Sequence, residues 1–162
     1  MPKEIRKPKS DLDRVLDQMD REDSVFWNWG NNASTNDFAL GEEASQKTPP
    51  PDLLERVAQF GERIIRFVKK VPRGVNYPEN NRLVDQLVGA GTSIGANYSE
   101  ADDAVSGKDF KNKIGISRKE SKETMFFLRM LAASEESLAE EARELWREAK
   151  ELNLIFGSIW RK

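Results

Sequence analysis

The stretch that decides the fold runs from Gln86 to Ala101, QLVGAGTSIGANYSEA. Leu83, Leu87, Ala90, Ile94, Ala101 and Val105 keep the three-to-four spacing of a buried helical stripe. Threaded through it are small residues: Gly89, Ala90, Gly91, Ser93, Gly95 and Ala96. Each interior glycine costs a helix roughly 1 kcal/mol relative to alanine. Three of them within seven residues need compensation, and close approach of another backbone provides it. The spacing predicts a thin helix pressed into a bundle.

Reading outward gives three more helices. The first runs from about Asp52, an anion after Pro49, Pro50 and Pro51, to Val71, with a stripe of Leu53, Val57, Phe60, Ile64, Val68 and Val71. Pro72 to Pro78 makes the first loop, and the second helix spans about Glu79 to Val105. The third starts near Ser106 or Gly107, after a link short enough to force an antiparallel turn. Its seam is Phe110, Ile114, Ser117, Ser121, Thr124, Leu128 and Leu131, whose hydroxyls should face Gly91 and Gly95 of the second helix. The fourth begins near Ser134 or Ser137, with Glu140 at capping-box spacing from Ser137. Leu138, Ala142, Leu145, Ala149, Leu152, Phe156 and Ile159 form its seam. The expected fold is all-α, an antiparallel up-down-up-down four-helix bundle over residues 51–162, with an N-terminal extension over residues 1–50.

Three motifs in register carry a family resemblance: the Gln86–Ala101 stretch, the link Ser106, Asp109, Phe110, and the run Lys119, Glu120, Glu123, Thr124 before Phe127 and Leu128. Over about residues 52 to 162 the chain resembles the four-helix-bundle proteins named for intervening sequences in bacterial 23S rRNA genes. Gly89 to Thr92 departs from the polar residues usual in that family before its Ser-Ile pair. The resemblance implies a homo-oligomer, a ring of five. Relatives include the accessory variability determinant of diversity-generating retroelements, which works with a reverse transcriptase and RNA.

Composition narrows the classes. Across 162 residues the net charge is only −2, so bulk charge points to no polyanion. Cysteine is absent, which removes disulfides and thiolate metal sites. Histidine is absent too, so imidazole bases, Ser-His-Asp triads and Glu-x-x-His di-iron sites are impossible. The glycines of the second helix are no phosphate loop, since no Gly-Lys-Ser/Thr follows them. The expectation is a non-enzyme without cofactor or metal. No apolar run is long enough to span a bilayer and the N-terminus lacks a signal-peptide core, giving a cytoplasmic, non-membrane expectation.

The extension holds two apolar clusters, Leu12, Val15, Leu16 and Met19, then Val25, Phe26, Trp27 and Trp29. Either this is a tail with incidental apolar residues, or a docking arm anchored by Leu12, Val15, Leu16, Phe26, Trp27 and Trp29.

Charge is shared unevenly. Residues 79–105 carry 1 basic and 5 acidic residues, and residues 107–133 carry 7 basic and 3 acidic. At about 100° per residue, Lys111, Arg118, Lys122 and Arg129 fall on one line, flanked by Lys108 and Lys119. That stripe is either a solvated or assembly face, or a contact for the phosphates of RNA or DNA. A third seam, Ile116, Glu120, Glu123, Phe127 and Met130, lies on neither the core nor the basic face and reads as an oligomer interface or as a wide core face. Asn97, Glu100, Glu120 and Glu123 are expected to bond with Lys or Arg rather than with a metal. Two functions stay open: a homo-oligomeric scaffold for nucleic acid, working with a reverse transcriptase, or a module for protein interaction alone.

Overall fold

A computed structural model describes residues 52–161. They form four α-helices: α1 Leu53–Val68, α2 Pro78–Asp102, α3 Gly107–Ser134 and α4 Ala139–Arg161. A 3₁₀ turn, Glu136–Leu138, leads into α4, and no strand occurs among the described residues. Each helix packs against the next in sequence, and α4 returns to α1. The short links make neighbours antiparallel, which gives the up-down-up-down four-helix bundle that the seams predict. The anchors Leu12, Val15, Leu16, Phe26, Trp27 and Trp29 lie outside the described residues.

The seams meet in one core. Phe60, Ile64, Leu87, Ile94, Ile114, Leu128, Leu152 and Phe156 are all at most 1% exposed. Burying each such side chain contributes roughly 1.5–3 kcal/mol. Ser117, Ser121 and Thr124 share the burial without leaving unmet donors. Ser117 Oγ donates across to the Ile94 carbonyl of α2 at 3.1 Å, while Ser121 and Thr124 donate to carbonyls of their own helix, Arg118 (2.8 Å) and Glu120 (2.8 Å).

Close helix approach occurs where small residues require it, but with another partner than the sequence suggested. A Cβ on Gly91 would lie 3.0 and 3.1 Å from the two γ carbons of Ile64, and one on Gly95 would lie 3.6 Å from the Val57 carbonyl oxygen. Both glycines therefore face α1, and it is the Ile94 carbonyl that meets a hydroxyl of α3, that of Ser117. Gly89 meets nothing within 4 Å and packs against no neighbour.

The helix ends also differ from expectation. α1 stops at Val68, yet Val71 is still buried, because tightened turns from Phe67 to Lys70 and Val68 to Val71 carry it inward. α2 stops at Asp102, leaving Val105 94% exposed rather than in the stripe. Two carboxylates, Asp102 and Asp103, oppose the negative end of the helix dipole there. Ser106 must also be extended to cap α3, where its Oγ accepts from the Asp109 amide at 3.1 Å. Ser137 lies inside the 3₁₀ turn, not at a helix cap.

At one end of the bundle sits a polar group that hydropathy gave no reason to bury. Asn80, 0% exposed, donates from Nδ2 to the Pro72 carbonyl (3.1 Å) and to Glu135 (2.5 Å). Its Oδ1 accepts from the Ser134 hydroxyl at 2.6 Å. Nearby, Asn81 clamps the backbone of Gly74, whose φ of 121° suits only glycine.

Further along α2, the Tyr98 ring rests 5.6 Å from that of Phe156. Burial, with Asp102 and Asp52 nearby, pushes its phenol above the ordinary range. A raised pKa means that the neutral phenol stabilises the fold below the ordinary tyrosine pKa of about 10, and that this is lost as pH rises through the shifted value. Tyr98→Phe should therefore flatten the fall of stability above about pH 10. Urea midpoints from pH 9 to 12 would show it, and an unchanged slope would remove Tyr98 as the cause.

Candidate nucleic-acid interface

α3 divides its surface into three strips. Its 28 residues rise about 42 Å, and the core strip described above takes one side. On the basic strip Lys108, Lys111, Lys119 and Lys122 are exposed, and Arg118 and Arg129 are half-buried. None of Lys108, Lys111, Arg118, Lys119 and Lys122 makes an ion pair among the described residues.

Arg118 ties this strip to α4. Its Nε lies 3.5 Å from where a Cβ on the buried Gly157 would stand, so the guanidinium rests on bare α4 backbone. One turn away, Asn153 Nδ2 donates to the Arg118 carbonyl (2.7 Å) and to Ser121 Oγ (2.9 Å). Trp160 of α4 reaches the same strip, with Nε1 3.5 Å from a Cβ built on Gly115. Trp146 and Lys150 precede Asn153 and Gly157 by seven residues and so share their side of α4. The Lys150 ammonium lies 5.2 Å from the Trp146 ring centroid, a cation–π contact.

The opposite side of α4 carries its carboxylates to α1 and the turn after it. Arg56 pairs with Glu148 (2.7 Å) and Glu151 (2.5 Å), and Lys70 with Glu141 (2.9 Å). The Glu148 hydrogen bond, against the opposing effect of burial, leads in raising the Arg56 pKa. On α3 itself, Lys113 is drawn aside to Glu100 of α2, which raises its pKa, as expected for Glu100. Asn97 departs from that expectation and donates to the Ser93 carbonyl of its own helix at 2.9 Å.

The third strip brings together Ile116, Glu120, Glu123, Phe127 and Met130, all half-buried. Phe127 also packs against the core, whereas Ile116 and Met130 do not. Its ring meets that of the exposed Phe126 edge-on at 5.3 Å. Burial first, then the Glu123 carboxylate, pushes the Glu120 carboxyl up, against the pull of Lys119.

The α3 strips are legible in the sequence, and the α4 contribution is not. The available signal is Gly157, an interior glycine four residues after Asn153 in a helix whose apolar period runs on past it. Among the described residues no cluster of carboxylates could hold a metal ion, and no helix is long and apolar enough to cross a membrane.

Comparison with known proteins follows the same region. Residues 52–158 match the family described as 23S rRNA-intervening sequence protein. Among solved structures, a protein of unknown function from the S23 ribosomal protein family of Bacteroides thetaiotaomicron VPI-5482 is similar, at 32% identity and a TM-score of 0.61. The match covers 68% of this chain and 100% of that one. No curated protein matches.

Proposed function

The chain belongs to the 23S rRNA-intervening sequence protein family, and from that premise we propose a non-enzymatic, cytoplasmic accessory protein that assembles with copies of itself and holds nucleic acid along α3. The observation that carries this reading is charge segregation. Glu141, Glu148 and Glu151 of α4 are spent on Arg56 of α1 and on Lys70 in the turn that follows it, while Lys108, Lys111, Lys119 and Lys122 stay exposed. A chain with net charge −2 thus still presents a local line of cations. From Lys111 to Arg129 that line spans about 27 Å of helix axis. Duplex DNA carries one charge per about 1.7 Å, so many phosphates fall alongside it.

The third strip supplies self-assembly in this reading, with five copies as the family resemblance implies and a reverse transcriptase with its RNA as the expected company. A module that only binds protein is the second reading, favoured by the near-neutral net charge.

Binding measured against salt separates the two. Lys111→Gln with Lys122→Gln should weaken RNA and DNA binding across sequences. The slope of log K against log salt should fall by about 0.7–0.9 for each phosphate that the protein no longer neutralises. Arg118 is left in place because its side chain covers Gly157. An unchanged slope would move the site elsewhere, and absence of binding by the native chain would leave the protein-only reading.

A further inference from the structure

We propose that Trp160 is a stacking platform for an unpaired base, which makes the ligand of the α3 face a single-stranded nucleic acid; this rests on the nucleic-acid reading above. Trp160 stands on the last turns of α4 and remains 46% exposed, an unusual cost for the largest apolar side chain. It does not join the core. Its pyrrole edge instead lies against Gly115 of α3, where a Cβ would stand 3.5 Å from Nε1 and 3.7 Å from Cδ1. A glycine there lets the indole lie low, and any long side chain would lift it off.

The position is what gives the ring a use. Gly115 sits four residues after Lys111 and four before Lys119, both exposed. The two lysines are therefore rooted on either side of the glycine on which the indole rests, each about 6 Å from it in rise along the helix axis. A strand whose phosphates meet those lysines brings a base over the ring. In a duplex the bases are stacked on each other and unavailable, so the arrangement selects strands with free bases. Every base has a π-face, so the contact carries affinity with little sequence preference.

Equilibrium binding of the full chain to four probes tests this: an oligoadenylate RNA, its DNA counterpart, an abasic strand of the same length, and a duplex. Trp160→Ala should weaken both adenylate strands about tenfold and leave the abasic strand, the duplex and the salt slope unchanged. Trp160→Phe, which keeps an aromatic face, should stay within about threefold of the native chain. Lys111→Gln with Lys119→Gln should instead weaken all probes and lower the slope. The stacking role is overturned if Trp160→Ala weakens abasic and adenylate strands equally, if it weakens neither, or if only RNA responds, since a base platform does not read the ribose. If the native chain binds none of the probes, the nucleic-acid reading fails first and takes this one with it.

Discussion

Gly91→Leu should lower the stability of the bundle by about 1–3 kcal/mol or more, while Gly89→Ala, two residues away, should raise it by up to about 1 kcal/mol. The two glycines share one helix and differ only in what they face. At Gly91 even a methyl group meets Ile64 carbons at 3.0 and 3.1 Å. Ile64 is 0% exposed and β-branched, so it has neither room nor rotamers with which to yield. At Gly89 there is open space, and the alanine gains helix propensity without a clash. Urea midpoints at constant m-value would measure both. Equal shifts of the same sign would mean that α1 and α2 do not approach at Gly91 as described.

Ile116→Lys combined with Met130→Lys should convert an assembled protein to single chains of 18.5 kDa while leaving the helix content intact. Both side chains are half-buried, and neither packs on the core, so two ammonium groups there spare the bundle. In an interface they would be desolvated without partners, which costs several kcal/mol per ion. Phe127 is unsuitable for this test because it also packs against the core. Light scattering at micromolar concentration gives the answer. A native chain that already runs as a monomer would end the assembly reading, and a double variant that stays assembled would place the interface elsewhere.

How far the sequence could be read follows from what periodicity encodes. A helical period states which residues face inward, so the seams of α3 and α4 came out residue by residue, down to Ser117, Ser121 and Thr124. It does not state which neighbour each inward residue meets. Gly91 and Ile94 lie only about 60° apart around α2, yet one faces Ile64 of α1 and the other receives Ser117 of α3. Helix ends were less legible, because Val105 kept the period after the chain had left the helix to prepare the Ser106 cap. Phe67 lies outside the expected α1 stripe and is nonetheless 0% exposed. The basic stripe was legible as a line on α3. Its extension by Trp160 over Gly115 was not, because that joins residues 45 positions apart through a packing angle that neither helix encodes alone.

Asn80 bears on a different question: why this chain settles in one alignment of its helices. An apolar seam is ambiguous along its own axis, since a helix slid by one turn still sets leucines against leucines and alanines. Asn80 breaks that symmetry. Only in the native alignment does its amide meet the Pro72 carbonyl, Ser134 and Glu135 together. In a slipped one, a desolvated amide and its former partners are stranded, at about 1–3 kcal/mol for each orphaned group. A single buried amide thus acts as an index mark, adding little depth to the native state and much height to its near-copies.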